Sequence, residues 1–250
     1  MDVGEVVAIA LAGLAAGAIN TVVGSGTLIT FPVLLAFGYA PVTANVSNTI
    51  GLVPGSVSGA VGYRRELAGQ GRRIRRLGTA SLLGGATGAV LLLVLPASAF
   101  KAIVPVFIAI ALVLVVVQPR VSRWVASRRD EAPEHAGPLG LLALYLAGIY
   151  GGYFGAAQGI IIMAVLGVAL HETLQRMNAV KNILAGLTNL IAGIVFVLVA
   201  DIAWGPALLI ALGATVGGVV GARVGRRLPP AALRGVIVAV GLFAIVRLVA

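Results

Sequence analysis

The chain is built from long apolar runs separated by short polar stretches. Continuous runs of about 20 residues, without the alternation of a half-buried strand, predict membrane-crossing helices. They fall at 41–62, 77–95, 101–117, 173–199, 203–222 and 230–249. Two further apolar stretches, 4–37 and 138–170, are too long for one crossing and short for two, which need about 40 residues. Small residues interrupt each of them, at Asn20–Gly26 and at Gly151–Gly159. The pattern predicts a broken helix or a re-entrant hairpin in each, and leaves open whether the chain there crosses twice or dips in from one side.

Composition agrees. Of 250 residues 60% are hydrophobic and 34 are Gly, against 18 Lys and Arg and 8 Asp and Glu. Charged residues make up 10%, where soluble domains carry about 25%, so a soluble enzyme or binding module is excluded. The charges are also confined: 63–76 and 118–137 hold seven each, while Val6–Tyr63 holds none. A net charge of +10 in short loops between apolar runs is an orientation signal rather than a nucleic-acid surface. The positive-inside rule places loops 63–76, 118–137 and 223–227 in the cytoplasm and both termini outside, in a plasma-membrane protein. Asp2 and Glu5, with no Lys or Arg, lack the basic region of a signal peptide, so the first apolar run is expected to persist as structure. Without Cys there are no disulfides and no thiolate chemistry.

The two halves match at near-constant offsets. Gly17 and Gly24 pair with Gly148 and Gly155, Asn48 and Gly59 with Asn182 and Gly193, and Gly84-Gly85 and Gly88-Ala89 with Gly217-Gly218 and Gly221-Ala222. Equivalent helices carry their basic loops at opposite ends (63–76 in one half, Arg223, Arg226 and Arg227 in the other), as inverted repeats require. The expected fold class is therefore all-α: a polytopic membrane protein of two inverted-topology repeats, each a broken helix or re-entrant hairpin plus three spanning helices. Residues 1–118 form the first repeat, 119–137 a charged cytoplasmic linker and 138–250 the second repeat.

Inverted-repeat proteins commonly bind substrate where interrupted helices meet. A half-helix restarting after a break points unsatisfied N–H groups and a partial positive charge into the interior, which suits an anion. Candidate substrate-binding residues at the breaks are Asn20, Gly24, Ser25, Gly26, Thr27, Gly155, Gln158 and Gly159. On the spans they are Asn48, Asn178, Lys181 and Asn182. Lys181 lies within a span with Glu172 and Asp201 only at the ends of its helix. A buried ammonium there takes a bound anion as partner, snorkels to the interface, or bonds backbone carbonyls. His135 and His171 are interfacial, no spacing suggests a metal or cofactor site, and Gly24-Ser25-Gly26 has no histidine partner, so an enzyme is not expected.

The run Gly17-Ala-Ile-Asn20-Thr-Val-Val-Gly24-Ser-Gly26-Thr-Leu-Ile-Thr-Phe-Pro32 resembles the first-repeat signature of the TauE/SafE family, as does Ala44-Asn45-x-x-Asn48 before Pro54-Gly55. Gly148-x-Tyr150-Gly151-Gly152-Tyr153-Phe154-Gly155-x-x-Gln158-Gly159, followed by Asn178-Ala179-x-Lys181-Asn182, resembles the second. Ser25 and Thr27 stand where Gly is common in the family. The resemblance implies a permease for sulfite, sulfoacetate or another sulfur-containing anion. The expected function is a secondary transporter exporting such an anion by alternating access, with an anion channel or a non-transporting scaffold as alternatives. Expected partners are the small anion and the lipid bilayer, without nucleic acid, cofactor or metal; a homodimer is left open.

Overall fold

The computed structural model describes residues 1–127 and 136–224, together with 235, 237–240, 242 and 245. Among the described residues nine helices follow in order: α1 (Val3–Val22), α2 (Thr27–Ala36), α3 (Pro41–Gly62), α4 (Gly71–Val94), α5 (Ala97–Ser127), α6 (Pro138–Tyr153), α7 (Gln158–Ala169), α8 (Leu174–Val199) and α9 (Trp204–Val224). There is no strand among them. Five of these helices, α1, α4, α5, α8 and α9, are long and apolar enough to cross a membrane. The chain is an all-helical, multi-pass membrane protein. Most of the expected span 230–249 and of loop 223–227 lies outside the described residues, as does the centre of 118–137.

Both interrupted segments are helical hairpins. At 1.5 Å per residue α1 is about 30 Å long and α2 about 15 Å. The second turns back along the first: the Tyr39 hydroxyl, just beyond α2, donates to Glu5 Oε1 at the start of α1, 2.6 Å away. Burial, then the hydrogen bond and charge of Glu5, push the Tyr39 pKa up to about 12, so this clasp holds its proton at physiological pH. In the second hairpin α6 and α7 are likewise antiparallel, and a β-carbon on Gly140 would lie 3.1 Å from that of Ala169. Each segment therefore begins and ends on one face, and the two hairpins enter from opposite faces.

Helix α3 spans the predicted 41–62 but is not among the five apolar crossings. Its polar residues Asn45, Ser47, Asn48, Thr49 and Ser56 are buried against α1, α8 and α9, while Val57 and Val61 stay exposed on its outer side. The loops are shorter than the charge pattern suggests. Four arginines of 63–76 sit on the first turns of α4, and α5 continues to Ser127, so the linker expected from 119 begins as helix. The charges sit on the ends of helices rather than between them.

The halves exchange partners. Helix α1 packs most extensively on α9, and α6 on α4. Gly84 and Gly88 of α4 meet the Tyr145 and Ile149 carbonyls so closely that a β-carbon would overlap them. Gly217 and Gly221 of α9 meet the Leu14 and Ala18 carbonyls of α1 in the same way. They are the glycines that the sequence offset pairs across the two halves. Without side-chain bulk the helix backbones approach closely, which is how helices associate in a bilayer.

Candidate functional site

The two hairpin tips meet inside the protein. The Gly159 N–H, at the start of α7, donates to the Gly24 carbonyl at 3.1 Å. Gly24 holds φ of 86°, and a β-carbon there would overlap the Gly159 Cα severely, so only glycine fits. Gly155 repeats the left-handed turn in the other hairpin with φ of 76°, and Ala157 follows at 58°. Both segments thus fold back through left-handed residues at the breaks the sequence marked.

The restarted helices lack side-chain caps, and neither has an acidic residue in its first turn. In α7 the early N–H groups are taken: Gln158 donates to Gly155, Gly159 to Gly24 and Ile160 to Ala157. In α2, Leu28 and Ile29 donate back to Ser25 and Gly26, while the N–H groups of Ser25, Gly26 and Thr27 meet no acceptor among the described residues. The Ser25 hydroxyl is 1% exposed and also unpartnered. Buried polar groups in a folded chain are nearly always satisfied, so this run of free donors at a helix N-terminus is an anion-accepting arrangement.

Lys181 has partners. It is fully buried, seven residues into α8, and its Nζ donates to the carbonyls of Asn20 and Thr21 at 3.0 and 3.1 Å. Asn178 and Asn182 donate to the same Thr21 carbonyl at 3.2 and 3.3 Å. The α1 C-terminus, where carbonyls lack helical partners and the helix dipole is negative, is therefore capped by a cation and two amides from α8. Of the partners expected for a buried ammonium, backbone carbonyls are those observed. The other half has a neutral counterpart: Asn45 donates to the Tyr153 carbonyl at the end of α6, 2.9 Å away.

The remaining expected residues divide. Asn48 bonds the hydroxyls of Thr27 and Thr30, fixing the start of α2 to α3. Gln158 donates to Ala147 inside its own hairpin at 3.2 Å and packs on Gly151, away from the opposite tip. Asn20 reaches Ser56 at 3.5 Å. A cavity of about 260 Å³ opens beside the first break, lined by Val22, Val23, Tyr63, Gln118, Ser122 and Asn178, among others. Sequence reasoning passed over Gln118 and Ser122 because they lay in a stretch read as loop; two polar residues at the polar end of α5 were the available signal.

Two interrupted helices that meet tip to tip among apolar spans are the frame of a multi-pass membrane protein. The chain belongs to the sulfite exporter TauE/SafE family, whose model matches residues 9–248. It is 25% identical over 214 residues to the probable membrane transporter protein YfcA of Escherichia coli K12, covering 85% of this chain and 76% of that one. It is 26% identical over 227 residues to a probable membrane transporter protein of Haemophilus influenzae, covering 89% and 87%. A probable membrane transporter protein, ORF9, of Sinorhizobium is 26% identical over 217 residues, 85% of this chain and 80% of that one. No solved structure matches the chain.

Proposed function

We propose that the protein is a secondary transporter that exports a small sulfur oxyanion, sulfite or an organosulfonate, across the plasma membrane by alternating access. The observation that carries this reading is the contact between hairpin tips: the Gly159–Gly24 bond sets the free donors of Ser25–Thr27 at the junction of the two halves. In a water-poor interior such donors favour a compact anion over a neutral solute. Lys181 caps α1 and adds positive potential beside the same break. The glycine contacts that recur with the halves exchanged fit two inverted repeats, one rocking against the other about this junction. The cavity beside Val22 and Val23 lies toward the arginine-rich face, which positive-inside bias assigns to the cytoplasm, so it is the entrance for an exported anion. With the cytoplasm negative, each exported negative charge gains about 2.3 kcal/mol per 100 mV.

Flux in proteoliposomes against sulfite, sulfate, organosulfonates and carboxylates tests this. Ser25→Ala removes a hydroxyl with no protein partner, so stability is kept or improved, while sulfite flux falls about tenfold through one lost hydrogen bond to a charged group. Lys181→Gln lowers both flux and stability, because the α1 carbonyls lose their cation. Flux confined to carboxylates overturns the substrate reading, and unitary currents typical of a channel overturn alternating access.

A further inference from the structure

The arginine-rich face carries a second cavity, of about 300 Å³, that the transport route does not use. It lies between the start of α4 and the α7–α8 turn, with Arg72, Arg73, Arg76, Glu172 and Arg176 in its wall. Glu172 is already engaged: Arg73 reaches it at 2.8 Å and Arg176 at 3.0 Å. Arg72 and Arg76 are exposed and have no anionic partner among the described residues.

Their placement is unfavourable in the protein alone. Arg72 and Arg76 are four apart on one helix face, where like charges repel. Together with Arg73 and Arg75 they crowd the first turns of α4, the positive end of its dipole, with no acidic residue there and no side-chain cap on Gln70. An anion in the cavity relieves both costs, and guanidinium pairs match a phosphodiester in bidentate fashion.

A neighbouring feature decides which anion. The same two chain segments that line this cavity, at Ala136 and Leu170, continue one residue on into an apolar groove of about 470 Å³, at Gly137 and Ala169. Its wall includes Leu139, Ala143 and Val168, together with Trp124, a residue type enriched at the headgroup boundary. A free anion has no use for such a groove, whereas an acyl chain fills it. We propose that the two cavities hold one anionic phospholipid, its phosphate against Arg72, Arg73 and Arg76 and an acyl chain in the groove between α5, α6 and α7.

Native mass spectrometry and thermal melting of the purified full chain in detergent, with phosphatidylglycerol, phosphatidylcholine or inorganic phosphate added, test the proposal. Phosphatidylglycerol is expected to be retained at about one per chain and to raise the melting temperature, with phosphatidylcholine and phosphate doing neither. Arg72→Gln with Arg76→Gln cuts that retention about tenfold. Arg64→Gln with Arg65→Gln, an equal charge change outside the cavity, leaves it intact. Val168→Trp, at a half-exposed position, fills the groove without touching an arginine and also lowers retention. Equal retention of both lipids, equal loss in the two arginine pairs, or protection by inorganic phosphate as strong as by phosphatidylglycerol overturns it.

Discussion

Two residues at the breaks separate what the backbone demands from what the site demands. Gly24 combines a left-handed φ with a backbone neighbour in the opposite hairpin. Gly24→Ala is therefore expected to cost at least about 2 kcal/mol, read as a lowered melting temperature in detergent. Ala157 is left-handed too, with φ of 58°, and already bears the strain of a β-carbon. Ala157→Gly is expected to be neutral or stabilising in the same assay. A comparable loss in both would detach the Gly24 effect from this geometry. The sequence identified Gly24, Gly155 and Lys181 because glycine at a break and a cation in a span are visible one residue at a time. The partner of Lys181 was not visible: the Thr21 carbonyl stands 160 residues away and is a backbone atom, which carries no residue signature. Gln158 had the right chemistry at the right break, yet it turns back on Ala147.

Helix boundaries show the same limit at the next scale. Hydropathy located every described apolar segment, since burial in lipid or protein needs apolar length. It placed helix ends at the charges, and the structure moves them outward, because arginine extends a helix readily once its guanidinium reaches the surface. At the junction of α4 and α8, Glu172 gathers Arg73, Arg176 and the Thr173 N–H. Burial alone would raise its pKa; those hydrogen bonds and the Arg176 charge outweigh it and hold the carboxyl below its usual 4.5. A depressed folded-state pKa means the stabilisation is present above the unfolded value and is lost as pH falls through the folded one. Glu172→Gln is expected to lower stability by about 1 kcal/mol at neutral pH, the ordinary scale for a part-exposed ion pair. Melting temperatures of the two proteins should keep that gap down to about pH 5 and converge below 4.5. A gap unchanged at lower pH would remove the carboxylate from the junction's energetics.

In the whole molecule the described basic residues gather at one face, apart from Lys101 and the buried Lys181, with Tyr39 and Glu5 clasped at the other. A chain without cysteine makes the assignment of sides directly measurable. With an impermeant maleimide, Lys101→Cys should label in intact cells and Arg65→Cys only after permeabilisation; the reverse pattern would invert the orientation. The pairing of α1 with α9 and of α6 with α4 was foreshadowed by the matched glycines, but glycine spacing does not say which helix will use it. The capping of α1 by α8 has a consequence for biogenesis. The ribosome delivers the Thr21 carbonyl 160 residues before the lysine that satisfies it, so the first hairpin emerges into the membrane with its inner end open. Order of synthesis thus makes the early half depend on the late half, and a nascent chain can be sealed only when α8 arrives.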